Sequence, residues 1–296
     1  MKTTPEKGRA FFRCALWLWL AAMASVSGNA LAAPVASVID VSGEVTVARQ
    51  DSRSKIGLFD NLFADDRLQL PGGTRLVLTH NATRTEYSFA APAEIEVAPD
   101  GIRLRSGSPP KTRLLSELAA LALGGAAAGR VVTGAAQMRG TTQPPTTPAN
   151  GETILTTTPA FSWPAIASVT GYQLELKNAE GETLLEAHAG GTVWQLDAAR
   201  PLNWGATYDW TLNNKPGERP FSVFRTFRVI DRANREALAR IEPKTGDAFA
   251  AWATYARTLE HLGAHSAART VWSRLASERP DLPMLDTWAR GAEPAK

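Results

Sequence analysis

Cysteine is nearly absent: the chain of 296 residues holds one, Cys14, and only four histidines. Because Cys14 lies in the N-terminal leader described below, disulfides, thiolate nucleophiles and cysteine-ligated zinc are excluded from the remainder, whose stability has to come from packing. Long apolar runs are missing too. The two longest, residues 14–26 and 118–128, fall short of the ~20 residues that a membrane-spanning helix needs. No G-x-S-x-G, phosphate-cradling loop or dinucleotide fingerprint occurs in strand-turn-helix context, so no cofactor and no catalysis are expected.

An excess of one charge is also lacking once the N-terminus is set aside. Lys2, Lys7, Arg9 and Arg13 face a single acid, Glu6, and precede an apolar run that ends in Ala30-Leu31-Ala32. This is the pattern of a secretory signal peptide over residues 1–32, with cleavage expected after Ala32 and no integral span left afterwards. Removing that segment takes four basic residues from 32 and one acidic residue from 29, leaving 28 of each. The isoelectric point near 9.1 therefore belongs to the leader, and a nucleic-acid partner loses its electrostatic support.

What is present is mostly β patterning. Residues 36–113 contain seven short runs, among them Val38-Ile39-Asp40-Val41, Arg67-Leu68-Gln69-Leu70 and Glu94-Ile95-Glu96-Val97, separated by turn formers such as Ser42-Gly43 and Pro99-Asp100-Gly101. Period-two alternation predicts one wet and one buried face per strand, in a small roll or sandwich. The order Gly43-Glu44-Val45-Thr46-Val47, then Arg67-Leu68, Pro71-Gly72-Gly73-Thr74-Arg75, an exposed Thr79-His80, and Met138-Arg139-Gly140-Thr141 after the meander resembles the periplasmic FecR-like domain of bacterial envelope regulators. That resemblance implies a periplasmic location and a role in envelope protein contacts or signal sensing.

Residues 114–150 read as a Gly/Ala-rich segment, with Leu114, Leu115, Leu118, Leu121 and Ala122 at helical spacing, followed by a Pro/Thr linker over 141–150. Residues 151–230 alternate again. Trp163, the Gly171-Tyr172 strand start, and Leu202 followed six residues later by Tyr208 resemble a fibronectin type III-like sandwich with its tyrosine corner. Alternation sends Trp163 and Trp210 into the core and leaves Trp194 and Trp204 as surface candidates for stacking on a cell-wall glycan, the alternative partner.

From residue 231 to 290 the period changes to 3.6. Helices are predicted over 248–262 and 266–279, and Trp252, Ala256, Leu259, Gly263, Ala268, Trp272 and Pro280 lie at spacings that resemble one tetratricopeptide unit. One unit is too few for a free-standing array, so the tail must pack on its neighbours or present Trp252, Leu259 and Trp272 to a protein or peptide partner. The fold class expected is multi-domain and mainly β, with a helical hairpin as C-terminal tail. His80 and His188 fall in different domains, and His261 and His265 straddle Gly263, so no metal site is expected. Asp65-Asp66 and the strand pair Glu94 and Glu96 read as solvated carboxylates. Arg84, Arg103 and Arg105 read as a mixed-charge surface.

Overall fold

The computed structural model describes residues 33–49, 52–124, 146–167, 169–214 and 222–291. The leader and the Met138-Arg139-Gly140-Thr141 motif lie outside the described residues. Ten strands make up the first β unit: β1 (Ala36–Ser42), β2 (Thr46–Arg49), β3 (Ser52–Lys55), β4 (Asn61–Leu62), β5 (Arg67–Leu70), β6 (Arg75–His80), β7 (Thr85–Ala90), β8 (Ala93–Ala98), β9 (Gly101–Gly107) and β10 (Lys111–Leu114). They form two five-stranded sheets, ordered β10-β7-β6-β1-β4 and β3-β2-β5-β8-β9. Val38, Leu68, Leu76, Leu78, Phe89, Ile95 and Val97 fill the space between them, as the alternation predicts.

Two features at β1 and β6 depart from that pattern. The β1–β6 register shifts between Val38 and Asp40. The extra residue lets Val38 and Val41 both join the sandwich core while Ile39 joins a different apolar cluster. Thr79 and His80, expected to be exposed, are instead buried at 2% and 0%. The His80 ring spans the two sheets: Nδ1 accepts from the Thr83 amide at 3.3 Å, which leaves Nε2 to donate to the Ala98 carbonyl at 2.9 Å.

The second β unit contains β11 (Glu152–Ile154), β12 (Ala160–Ser162), β13 (Tyr172–Asn178), β14 (Thr183–Ala189), β15 (Val193–Gln195), β16 (Thr207–Asn214) and β17 (Ser222–Val229). Its sheets run β11-β17-β16-β13-β14 and β12-β15. Phe161, Trp163, Leu174, Trp210 and Phe227 are its core. The Tyr208 hydroxyl accepts the Asn203 amide at 2.8 Å, closing the corner that precedes β16. Residues 146–150 are part of this unit and not a linker. Pro148 O accepts from Trp210 Nε1 at 3.2 Å, Thr146 Oγ1 from Arg225 Nε at 2.9 Å, and Asn150 Oδ1 from the Thr226 amide at 3.0 Å. Side-chain acceptors on Thr146 and Asn150, the Pro148 carbonyl and a two-bond backbone bridge from Thr147 to Ser162 dock the segment without a longer ladder.

Five helices among the described residues follow the same logic of burial: α1 (Glu117–Gly124), α2 (Arg232–Ile241), α3 (Phe249–His261), α4 (His265–Glu278) and α5 (Met284–Ala289). Asp231 caps α2 by accepting the Asn234 amide at 2.8 Å. Small residues Ala253, Ala256 and Ala268 are buried where α3 and α4 pack. The tail does not stand apart. Ile39 and Val77 from the first unit, Leu115, Ala119 and Leu123 around α1, and Leu259, Trp272 and Leu275 belong to one continuous apolar cluster. Phe59, held at φ +61 before β4, places its ring 5.9 Å from Trp272 and 5.3 Å from Trp288. A bulky side chain is uncommon in that backbone region, and here the surrounding aromatic contacts hold it there.

Polar contacts fix the junctions. The Asp40 carboxylate, 3% exposed, accepts from Arg75 Nη2 at 3.2 Å and Arg279 Nη1 at 3.0 Å, while Arg279 Nη2 also reaches the Val41 carbonyl at 3.0 Å. At the other end of the tail, Glu152 is 4% exposed. Its carboxylate accepts the Ser266 amide of the first turn of α4 at 2.9 Å, where Ala264 offers no side-chain cap. Gly263, at φ +79, ends α3 with its Cα close against Thr153; an added Cβ would lie 3.0 Å from Thr153 Oγ1.

Removing Arg279 leaves the buried Asp40 carboxylate with only the more exposed Arg75 as partner. Arg279→Met is therefore expected to lower stability by about 2 kcal/mol, less than for a carboxylate left with no partner, with Asp40→Leu combined with Arg279→Met recovering part of the loss, as read from urea midpoints. Glu152→Ala is expected to cost about 1–2 kcal/mol, the typical worth of a helix cap with a favourable dipole contact, checked by the same measurement.

Candidate functional site

The chemistry-bearing side chains do not converge. Among the described residues, no group of three or more His, Asp or Glu side chains could hold a metal ion. Asp66 is buried beneath Arg49 Nε, 3.0 Å from both carboxylate oxygens, and accepts the Phe63 amide at 2.9 Å. It therefore organises the turn before β5. Two clefts open on the first unit. One of about 310 Å³ is lined by Arg49, Lys55, Ile56, Asp60, Asn61 and Phe63. The other, about 280 Å³, lies between the β6–β7–β10 face and the start of α3, with Arg75, Glu86, Ser88, Arg113 and Asp247 among its lining residues. In both, the cations are committed to acids: Arg49 to Asp66, Lys55 to Glu44 at 2.9 Å, Arg75 to Asp40, and Arg113 to Glu86 at 2.7 Å.

The residues expected to meet a partner are distributed differently from the sequence reading. Leu259 and Trp272 are 1% and 0% exposed. They cannot serve as contact residues on the folded chain, because the tail spends its apolar face on α1, β1 and β6. Trp272 Nε1 donates to Glu260 Oε1 at 2.8 Å. Trp252 is half-buried, with the Arg274 guanidinium 4.0 Å above its ring. In the second unit Trp163 and Trp210 are core residues, 4% and 0% exposed, as the alternation predicts. Trp194 is half-buried and packs 5.8 Å from Phe161. Trp204 is 36% exposed in the turn before β16. No described ring contact joins Trp204 to Trp194, so the two do not form one shared stacking platform.

One surface cluster escaped the sequence reading. On the outward face of the β3-β2-β5-β8-β9 sheet, register places Arg67 (β5) and Arg103 (β9) on either side of Glu96 (β8). Arg105 donates from Nε to Glu96 Oε2 at 2.8 Å, and its Nη2 contacts the same oxygen. Arg103 Nη1 lies 3.8 Å and Arg67 Nε 4.0 Å from the carboxylate. The three arginine side chains are 57% to 71% exposed over a carboxylate that is 11% exposed. The cluster carries three positive charges against Glu96 and the exposed Asp100, to which Arg103 Nη2 donates at 3.2 Å. Hydrogen bonding from Arg105 is the main reason the Glu96 carboxyl sits below its ordinary value, with the charges of Arg105, Arg67 and Arg103 adding to it against the opposing effect of burial. The signal in sequence was the spacing Arg103-Leu104-Arg105. The third cation and the central acid needed the strand register.

No protein-family model matches the sequence, and no curated protein matches it. Among solved structures the chain is similar to the FN1–FN3 domains of chicken CNTN1, at 10% identity over 65% of this chain and 54% of that one, with a TM-score of 0.21. The chain thus spans about half the length of that structure, an overlap too small to carry an argument about fold or partners.

The Glu96 cluster sets a pH dependence. Its folded-state carboxyl lies below the ordinary 4.5, so the stabilisation is complete above that value and is lost as pH falls through the lower folded value. Glu96→Gln is expected to flatten the acid limb of a urea-midpoint profile between about pH 5 and 3. An unchanged limb would show that the three arginines contribute nothing to it.

Proposed function

We propose that the chain is an exported, non-enzymatic binding or scaffold protein of the bacterial periplasm, with a FecR-like first unit, a fibronectin type III-like second unit and a tetratricopeptide-like tail. Supporting this reading are the ten-stranded first unit, the tyrosine-corner contact at Tyr208, and the antiparallel α3–α4 pair with small residues at its interface. No described helix is long and apolar enough to cross a membrane.

The observation that carries the proposal is the use of the tail as internal packing. It joins the two β units into a block whose described clefts hold paired charges, leaving sheet edges and the arginine cluster as the surfaces free to act. Such a block associates with partners without turning anything over. Of the two tryptophans considered for a glycan, only Trp204 is exposed, and no described ring contact joins it to a second exposed aromatic to form a stacking platform.

The test is in-cell crosslinking of the tagged full chain followed by mass spectrometry of captured envelope components. A discrete envelope protein is the expected result, and capture of wall fragments alone would overturn it in favour of the glycan reading. The full chain is required. A truncation at residue 230 uncovers Ile39 and Val77 and is expected to expose apolar surface whether or not the tail touches a partner.

A further inference from the structure

We infer that the outer edge of β9 is a docking site for an extended peptide strand of alternating acidic and apolar residues, supplied by a partner protein. This rests on the binding reading above and names the surface and the partner chemistry.

Among the described residues β9 pairs only with β8, which leaves one row of its backbone donors and acceptors unpaired. Its side chains divide by face. Arg103 and Arg105 are exposed on the outward face, within the cluster around Glu96. Ile102 and Leu104 point the other way, half-buried against the sandwich core. Natural edge strands are blunted by proline, by inward-pointing charge, by extreme shortness, by bulges or by charged side chains. Of these β9 has no proline, no inward-pointing charge and a length of seven residues, but the β8–β9 register shifts at Arg105 and the outward face is charged, so the edge admits only a strand whose charges match Arg103 and Arg105.

An added strand would meet three complementary features at once. Its backbone continues the sheet, its apolar side chains cover Ile102 and Leu104, and its carboxylates at alternate positions fall opposite the arginines, since period-two alternation keeps them on one face. The charge excess of the cluster selects against a basic strand. The opposite edge of the same sheet lacks this combination: β3 reads Ser52-Arg53-Ser54-Lys55 and is exposed throughout, with no apolar row. In the second unit β14 has Leu185 half-buried against its core but presents Glu186 and His188 outward, so it supplies no arginines for an acidic strand.

The experiment titrates the purified chain with an acetylated, amidated heptapeptide of alternating glutamate and valine, and with counterparts carrying glutamine or lysine in place of glutamate. Fluorescence anisotropy gives affinity, and hydrogen exchange locates the contact. The glutamate peptide is expected to bind and to protect amides of residues 101–107, the glutamine peptide to bind about fivefold more weakly, as two or three exposed ion pairs allow, and the lysine peptide not to bind. Arg103→Gln with Arg105→Gln is expected to equalise the glutamate and glutamine peptides. If that variant does not fold, the peptide series and the exchange pattern on the native chain decide alone.

No binding of the glutamate peptide at about 1 mM, a Kd weaker than most specific contacts, would overturn the inference. So would equal binding of the glutamine peptide, or protection at β3 or β14 instead. Competition by sodium polygalacturonate as effective as the peptide itself would also overturn it, since the face would then be a general polyanion site. A partner retrieved by crosslinking while the peptide fails would leave the binding reading standing and remove only the strand addition.

Discussion

Burial of the outward face of β1 and β6 is the constraint on which the rest of this structure depends. A sandwich strand should show water its second face, yet Ile39 and Val77 are 0% and 5% exposed and sit in the same cluster as Trp272 and Leu275. The bulge at Ile39 makes this arrangement available without emptying the sandwich core. It adds one residue to β1, so that Val38 and Val41 both stay in the sandwich core while Ile39 faces the other way. The tail has the reciprocal need. A single helical pair has one apolar face too many for solvent, and the β1–β6 face together with α1 closes it.

Apolar burial is strong but non-directional, so it does not by itself fix how the tail sits. The directional contacts are few and buried. Asp40 joins β1 to the end of α4 through Arg279, and Glu152 joins the second unit to the start of α4 through Ser266. One carboxylate therefore stands at each end of the same helix. The acid at the N-terminus complements the helix dipole, and the arginine at the C-terminus does the same while neutralising Asp40. Phe59 adds a third constraint, its ring set between Trp272 and Trp288 at the cost of an unfavourable φ.

Once the tail is accounted for as packing, the exposed surface carries the functional argument. The described clefts contain paired ions, and the histidines are separated or, like His80, committed to backbone and hydroxyl partners. The Arg67, Arg103 and Arg105 cluster differs, because its three cations outnumber the acids Glu96 and Asp100 and it borders an open strand edge. Edges and charged faces suit association, in which backbone hydrogen bonds supply affinity and side-chain alternation supplies selectivity.

Local patterning was enough to locate most strands, the core positions of Trp163 and Trp210, the Tyr208 corner, and the bounds of α3 and α4 to within about one residue, because alternation and helix stops are properties of neighbouring residues. The same patterning marked Leu259 and Trp272 as apolar without saying what covers them, since an apolar stripe looks alike whether it meets a partner or its own chain. It read residues 146–150 as a linker because this segment docks through scattered side-chain acceptors, one proline carbonyl and a single bridge, none of which leaves a periodic trace. It missed the Glu96 cluster for a related reason: Arg67, Glu96 and Arg103 come from three strands, and only sheet register brings them together. Sequence by itself determined which segments are strands and helices and which of their faces are apolar. The tertiary structure decided which apolar faces were spent on one another, and so which surface was left to meet anything else.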